Sequence, residues 1–550
     1  MAVEGQSEEE VEAAMTQQVE CYPISILPNS SRLFLDYAEQ REPLLPFFPS
    51  SPYSNGWMLH QSPISESGRA ALAGILEAQN QEFGAGEKVF ANISALRRGA
   101  NAVVTGQQVT LLGGPLYTLF KAATAVRKAH DATAAGHPHV PIFWLATEDH
   151  DLDEADHVTF PSRHELHRLK LGTASRPGAP VGGLELGGEI KRVLDEAAGL
   201  LEPGPILDAL QEFYRPDATF AGAFARLLSR VFAEHGLIVI DAASRECHAL
   251  GAEVLGRAIT SVGDLHAALV ERDQLLAERG YHSQVLVSPQ SSLLFLMDAE
   301  TGARLPLKRR DSGEWSAGKK SYSEGELLGI LESEPERLSP NALLRPVFQD
   351  AILPTSAYIG GPAEIAYFAQ SQALYERILG RTTPVLPRLS ATLIEPAVAE
   401  VLAKHELSLT DVISTRPEEL AVRLGARTMP VENKRKLAAA GNALDAELGE
   451  LTAYMKSLDE GLGRSADVAA SKMRYQMNRL RRLSANYQLQ REASLRRHAD
   501  ALALALFPDG HLQERLMGAA WFLSRYGEGL TSLLVEHAAQ ECPGHKGILV

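Results

Sequence analysis

Val103-Val104-Thr105-Gly106-Gln107-Gln108, closed by Leu112-Gly113-Gly114-Pro115-Leu116-Tyr117, and further along Ile142-Phe143-Trp144-Leu145-Ala146-Thr147-Glu148-Asp149-His150-Asp151 decide the fold. Each is an apolar, partly β-branched run that breaks into a glycine-rich or densely polar turn, and residues 116–130 between them read as a helix. Strand, loop, helix, strand, loop is one βαβ unit. In an open parallel sheet both strand ends leave by the same edge, so the Gly-Gln-Gln turn and the Glu-Asp-His-Asp turn face one crevice, where such folds bind their ligands.

Working outward, Leu72, Ile75, Leu76 and Phe83 give residues 68–98 the pattern of an amphipathic helix. Residues 160–204, rich in Pro and Gly, read as an insertion. The sheet resumes at Leu237-Ile238-Val239-Ile240-Asp241 after a helix over residues 220–235. A second excursion holds a helix over residues 253–279 and an antiparallel piece near Gln284 to Val287 and Leu293 to Met297. Thr355-Ser356-Ala357-Tyr358-Ile359-Gly360-Gly361-Pro362 returns to strand and glycine turn, and feeds a helix over residues 364–379. A last strand is expected at Thr392-Leu393-Ile394. The fold class is α/β, a doubly wound parallel sheet, Rossmann-like, with two connecting insertions.

Past residue 400 the period changes. Leu444, Leu448, Leu451, Met455, Leu458 and Leu462 alternate spacings of four and three, and Met473, Met477, Leu480 and Tyr487 form a second series. With Gly461 and Gly463 as the break, this predicts an antiparallel helical hairpin whose seams close on each other or on a second subunit. The organisation expected is a disordered acidic tail at 1–25 and core at 26–158, insertion at 159–218 and core strand and helix at 219–245. A second insertion follows at 246–340, core at 341–400, a coiled-coil hairpin at 401–510, and a segment packing back on the core at 511–550.

The length of 550 residues suits about two to four domains. Apolar residues at 45% and charged ones at 22% suit a substantial core. With 53 Lys and Arg against 69 Asp and Glu the net charge is −16, which argues against a nucleic-acid partner. No run is apolar for the roughly 18 residues a membrane helix needs, and no secretory leader is read, so a cytoplasmic protein is expected. The three cysteines, Cys21, Cys247 and Cys542, show no paired spacing; a reducing compartment and no zinc thiolate site are expected.

Gly106, Gln107, Gln108, Gly113 and Gly114 stand where a strand feeds a helix, a place for a phosphate on backbone N–H groups, although neither G-x-G-x-x-G nor a Walker loop is present. Tyr117 and Lys121, one turn apart, would add stacking and a phosphate contact. Glu148, Asp149, His150, Asp151, Asp153, Glu154, Asp156 and His157 allow three readings: a metal site from His150, Asp151 and His157; an acid–base group beside a substrate amine; or a solvated helix start capped by Asp149 or Asp151. Gly360, Gly361, Glu364 and Tyr367 repeat the turn theme, and Arg345, Gln349 and Arg388 are candidate anion contacts. No G-x-S-x-G elbow and no H-E-x-x-H occurs.

Gly106-Gln107-Gln108 with Gly113-Gly114-Pro115-Leu116-Tyr117-Thr118, Phe143-Trp144 with Glu148-Asp149-His150-Asp151, Arg345-Pro346, Gly360-Gly361-Pro362-Ala363-Glu364-Ile365-Ala366-Tyr367 and Leu506-Phe507-Pro508-Asp509-Gly510-His511-Leu512-Gln513-Glu514-Arg515 together resemble the BshC family, the cysteine-adding enzymes of bacillithiol biosynthesis. The resemblance runs from Ser31 to the C-terminus. It implies a core related to class I aminoacyl-tRNA synthetases and nucleotidylyltransferases, two connecting peptides and a coiled coil used for homodimerisation. It also implies a ligase that joins the cysteine carboxyl to the amine of glucosaminyl-malate, with ATP, and magnesium alongside it, as the expected activator. On that reading ATP lies over the Gly106–Tyr117 and Gly360–Gly361 turns, and Asp149, His150 and Asp151 do the proton chemistry. Glu148, Arg345, Glu364, Tyr367 and Arg388 then hold substrate, with no resident metal. Two other readings are a metal-dependent hydrolase or transferase built on Glu148 to His157, and a coiled-coil scaffold with a ligand-binding core.

Overall fold

The two runs form adjacent parallel strands, β1 (Asn101–Gln107) and β2 (His139–Leu145), in an unbroken register that sets Gly106 beside Trp144 and Gln107 beside Leu145. Helix α1 (Tyr117–Ala134) connects them. The computed structural model describes residues 20–550 apart from residues 49, 62, 174–176, 289, 311, 492 and 540–541. Three more strands complete the sheet: β3 (Ile238–Asp241), β4 (Thr355–Gly360) and β5 (Val385–Pro387). Its order is β5-β4-β1-β2-β3, parallel throughout. Counted by chain position this is the doubly wound order 3-2-1-4-5, with the reversal between β1 and β4.

The sequence explains the burial. Ile142 and Trp144 join the core on one face of the sheet, and Phe143 and Leu145 the core on the other. A strand covered on both faces reads as a continuous apolar run. Helix α1 supplies Leu119, Phe120 and Val126 to one face; helices α2 (Arg245–Leu250), α3 (Arg345–Ile352) and α4 (Pro362–Ile378) lie on the other, through Cys247, Phe348 and Phe368.

Several expectations need correction. Ala391–Ile394 is a strand but not part of this sheet: it runs parallel to His545–Leu549, which pairs antiparallel with Glu20–Tyr22. The fifth strand is β5, whose flanking prolines suit an edge. The expected tail at 1–25 lies largely outside the described residues, and its described end is ordered, as a strand at Glu20–Tyr22 and a 3-10 turn at Ile24–Ile26. Cys21 and Cys542 are joined as a disulfide across 521 residues of sequence, a pairing local spacing cannot reveal; Cys247 alone is free, and buried. The long helices expected early in each half are broken, into Glu66–Glu82 and Glu87–Arg97 and into Ala252–Thr260 and Val262–Glu278. Residues 284–287 form no strand; the antiparallel piece consists of Ser291–Met297, Arg304–Arg309, Trp315–Ala317, Lys320–Tyr322 and Leu338–Pro340.

Helices α5 (Val431–Leu458) and α6 (Glu460–Arg491), followed by α7 (Ala493–Leu506), build the hairpin. Asp445 meets Arg474, Gly441 faces Arg481 and Gly463 faces Lys456, so the arms run antiparallel. The break is Asp459, in extended conformation, rather than the glycines, which lie inside α6. A Cβ on Gly463 would stand 2.9 Å from the Cα of Lys456: the glycine permits close approach instead of ending the helix. Of the first heptad series only Leu448 is buried. Gly441, Ala466 and Ala470 fill the seam, Ala485 packs on Gly425 of the helix Pro417–Arg427, and Leu451, Leu458, Leu462, Met473, Leu480 and Leu483 remain exposed.

Candidate functional site

The reversal of strand order opens a cleft of about 710 Å³ at the C-terminal ends of β1, β2 and β4, within the usual range of about 300–1,000 Å³ for a small-molecule site. The ends of β1 and β2 supply Gly106, Gln107, Gln108, Glu148, Asp149, His150 and Glu154; the β4 side supplies Arg345, Gly361, Glu364, Tyr367 and Arg388. The insertion sheet adds Phe295, Arg304 and Pro340, and the segment after the coiled coil adds Arg515. Carboxylates therefore leave the sheet at β2, arginines stand at β4 and β5, and β1 runs between them.

Gly106 is needed where β1 meets β2, since a Cβ there would lie 2.8 Å from the Trp144 carbonyl oxygen. Its own carbonyl accepts from Lys121 Nζ at 2.8 Å, and Lys121 also donates to Gln107 Oε1 and pairs with Glu364 at 2.5 Å. Gln107 Nε2 donates to Tyr117 Oη. Gln108 differs from its neighbours: it is buried, it lines the cleft, and among the described residues neither end of its amide has a partner. An orphaned buried amide costs about 1–3 kcal/mol, a cost that a bound ligand recovers.

Gly113 and Gly114 are not brought to the cleft. Both have positive φ, the Gly113 N–H donates to Tyr214 Oη, the Gly114 N–H donates to the Leu111 carbonyl, and a Cβ on Gly114 would strike Thr110. They turn the chain, and their N–H groups are spent. Gly360 lines a smaller neighbouring pocket of about 360 Å³ instead.

In the acidic loop, Asp149 accepts from the His150 N–H at 2.7 Å, and both side chains are about half exposed at the cleft. Asp151 lies outside the lining and caps the short helix Leu152–Ala155 by accepting from the Glu154 N–H. His150, Asp151 and His157 do not converge, and among the described residues no three His, Cys, Asp or Glu side chains meet as a metal requires. Burial, then Asp151 and Asp149, push the Glu154 carboxyl above the ordinary range, which suits it to exchange a proton. Glu148 Oε1 lies 2.9 Å from Nε2 of the buried His248 on α2.

The arginines are more occupied than the sequence suggests. Arg388 is clamped by Glu514, at 2.5 and 3.1 Å, and by the Leu389 carbonyl. Burial would raise the Glu514 carboxyl, but Arg388 outweighs it and holds it below the ordinary range. Glu514 in turn accepts from Ser390 Oγ, which contacts His545 Nδ1, while Thr392 Oγ1 contacts the other ring nitrogen. Glu364 is likewise neutralised: Lys121, Tyr358 Oη and the Gly361 N–H outweigh its burial and keep it ionised. Arg345 donates to Tyr367 Oη and Gln349 Oε1. Glu364 and Arg388 are thus fixed parts of the wall, and Arg515, exposed at the junction of both pockets, is an open cation.

Arg304, Arg515, Glu154 and His248 are site residues that sequence reading left unassigned. Glu154 and Arg515 sit inside quoted motifs; Arg304, lying 3.9 Å over the Phe295 ring, and His248 come from insertion segments with no local signal. Cys247 is outside the cleft lining, its thiol pushed up to about 11 by burial.

Family models account for the chain in two parts. The N-terminal Rossmann-like domain of bacillithiol biosynthesis BshC matches residues 18–389, and the C-terminal coiled-coil domain of the same family matches residues 391–549. Proteins named putative cysteine ligase BshC align almost end to end. The one from Koribacter versatilis is 42% identical over 96% of this chain and 99% of its own. The one from Solibacter usitatus is 36% identical over the same shares, and the one from Salinibacter ruber 31% identical over 90% and 92%. A crystal structure of a putative arginyl tRNA synthetase from Campylobacter jejuni covers 84% of this chain and 98% of its own at 11% identity, with a TM-score of 0.19 that lends it no weight.

Proposed function

The chain belongs to the BshC family of bacillithiol biosynthesis, and from that premise we propose that it is an ATP-dependent cysteine ligase that joins the carboxyl of cysteine to the amine of glucosaminyl-malate. The observation that carries the proposal is one cleft that holds the carboxylates Glu148, Asp149 and Glu154 off β2, with Arg304 near Glu148 and Asp149, and Arg345 and Arg515 toward β4, Arg388 being held by Glu514. A bound amine is drawn to the carboxylates, and phosphate or carboxylate to the arginines.

A carboxylate and an amine do not condense unaided, because the carboxylate oxygen is a poor leaving group. ATP would supply the activation: a cysteine carboxylate oxygen would bond to its γ- or α-phosphorus with ADP or pyrophosphate displaced, and the amine nitrogen, its proton passed to the protein, would attack the carbonyl carbon as that oxygen leaves on phosphate or AMP. The chain's residues fit such a donor through the unpartnered Gln108 amide, the Tyr117 ring and Arg515. Magnesium then arrives with the phosphates, which commonly supply its ligands together with one or two carboxylates. Glu148 holds the ammonium, and Asp149, His150 or Glu154 takes its proton before attack. Arg345, with Tyr367, and Arg304 meet the malate carboxylates.

The exposed apolar stripe of the coiled coil supports a homodimer, since a heptad seam left open in one chain closes on a second copy. No helix of the described residues is long and apolar enough to cross a membrane, and the enzyme is proposed to act on small molecules.

Oxygen-18 tests the activation step. With both carboxylate oxygens of cysteine labelled, one label is expected in the amide product and one in the released AMP or phosphate. Amide that forms with no label in any phosphorus product contradicts activation by ATP.

A further inference from the structure

We propose that His248 is a positioning residue whose buried imidazolium clamps Glu148 as the anchor for the acceptor's ammonium, so that Glu148 binds the amine and leaves its proton to other groups. The inference rests on the ligase reading and names the residue that sets up its amine subsite.

His248 is fully buried, whereas the Glu148 side chain is 20% exposed and lines the cleft. The imidazole Nε2 stands 2.9 Å from Glu148 Oε1, an ionic contact rather than an aligned hydrogen bond. The ring has little freedom. Ser244 caps α2 by accepting from the Cys247 N–H, and the Phe348 ring on α3 packs at 5.3 Å between centroids. Glu336 and the Leu338 backbone face the imidazole from the second insertion, and Asp241 from the end of β3. Burial alone favours the neutral ring; Glu148 first, then the Leu338 backbone and Glu336, outweigh it, and the net shift is upward.

The pairing decides what Glu148 can do. Glu148 is held from behind through Oε1 by the buried His248 ring while its side chain lines the cleft. The same pair favours an incoming ammonium: the carboxylate is already ordered, so binding costs no side-chain freedom. The proton that the amine loses before attack then goes to another group of the acidic loop. Glu154, whose carboxyl is raised, is the best suited.

The test compares wild type, His248→Gln, Glu148→Gln and the double variant in amide formation, with thermal unfolding as a check on folding. His248→Gln is expected to raise KM for glucosaminyl-malate by roughly tenfold or more, with kcat at saturation and KM for cysteine little changed. The double variant is expected to be no worse than Glu148→Gln alone. A fall in kcat at unchanged KM, or additive losses, overturns the assignment.

A second readout needs neither activity nor a folded His248 variant. The imidazole nitrogen resonances of His248 are expected to be those of a protonated ring at pH 7.5 in wild type and of a neutral ring in Glu148→Gln. A neutral ring in wild type overturns the clamp. A protonated ring in a wild-type protein that makes no amide upholds the clamp and overturns the ligase reading instead.

Discussion

At the scale of single residues, the network behind Arg388 is the most exposed to test. Arg388 and Glu514 are 4% and 2% exposed at their side chains, so removing either leaves the other charged and buried. Arg388→Ala or Glu514→Gln is therefore expected to lower unfolding stability by about 3–5 kcal/mol in urea titrations; a loss below about 1 kcal/mol would mean that water reaches the pair. His545 carries a pH signature. Burial lowers its pKa to about 4, so the folded ring is neutral while the unfolded chain takes up a proton as pH falls from the ordinary value of 6.5. Stability thus rises with pH across that window, and wild type is expected to lose roughly 3 kcal/mol more than His545→Gln on acidification from pH 6.5 to 4. Equal losses in both proteins would remove His545 from the acid response. Residues of this network were hidden from sequence reading for a physical reason. Gly106 to Gln108 and Glu148 to His150 are legible because a strand end and its turn are local, but Glu514 reaches Arg388 from 126 positions away. Nor can sequence show that the Arg388 guanidinium is already spent on Glu514.

At the scale of elements, strands were easier to read than their partners. Runs buried on both faces announced β1, β2, β3 and β4, yet Ala391–Ile394 carries the same apolar signal and pairs with the chain's far end. The hairpin shows how one residue type can mislead. Glycine read as a breaker, but Gly463 sits where α6 approaches α5, so Gly463→Leu is expected to cost about 1–3 kcal/mol by overpacking, read as a lower helix melting temperature. An unchanged melt would mean that the arms do not touch there. The disulfide belongs to this scale too, since Cys21 on the first described strand fastens the segment before His545–Leu549. Non-reducing peptide mapping is expected to find Cys21 linked to Cys542, and Cys21→Ser to cost about 2–5 kcal/mol; two free thiols in the map would contradict the link.

At the scale of the whole molecule, the order 3-2-1-4-5 places the reversal between β1 and β4, and the described cleft lies there. That much of the site could be anticipated. The insertion sheet that walls it with Arg304 and Phe295, and the C-terminal segment that brings Arg515, are contributions of tertiary packing without a local signature. The proposed homodimer rests on the exposed apolar residues of the coiled coil. Leu458 and Leu483 are 60% and 56% exposed, and sedimentation is expected to give twice the chain mass for wild type and a single chain mass for Leu458→Glu with Leu483→Glu. A monomeric wild type would leave the stripe without a role. The central claim is that this cleft joins cysteine to an amine. The measurement that tests it most directly is mass-spectrometric detection of bacillithiol after incubating the purified protein with cysteine, glucosaminyl-malate, ATP and magnesium, with ATP omitted in parallel. The account predicts product only with ATP, and much less of it from Glu148→Gln at low glucosaminyl-malate; no product from wild type under either condition would contradict it.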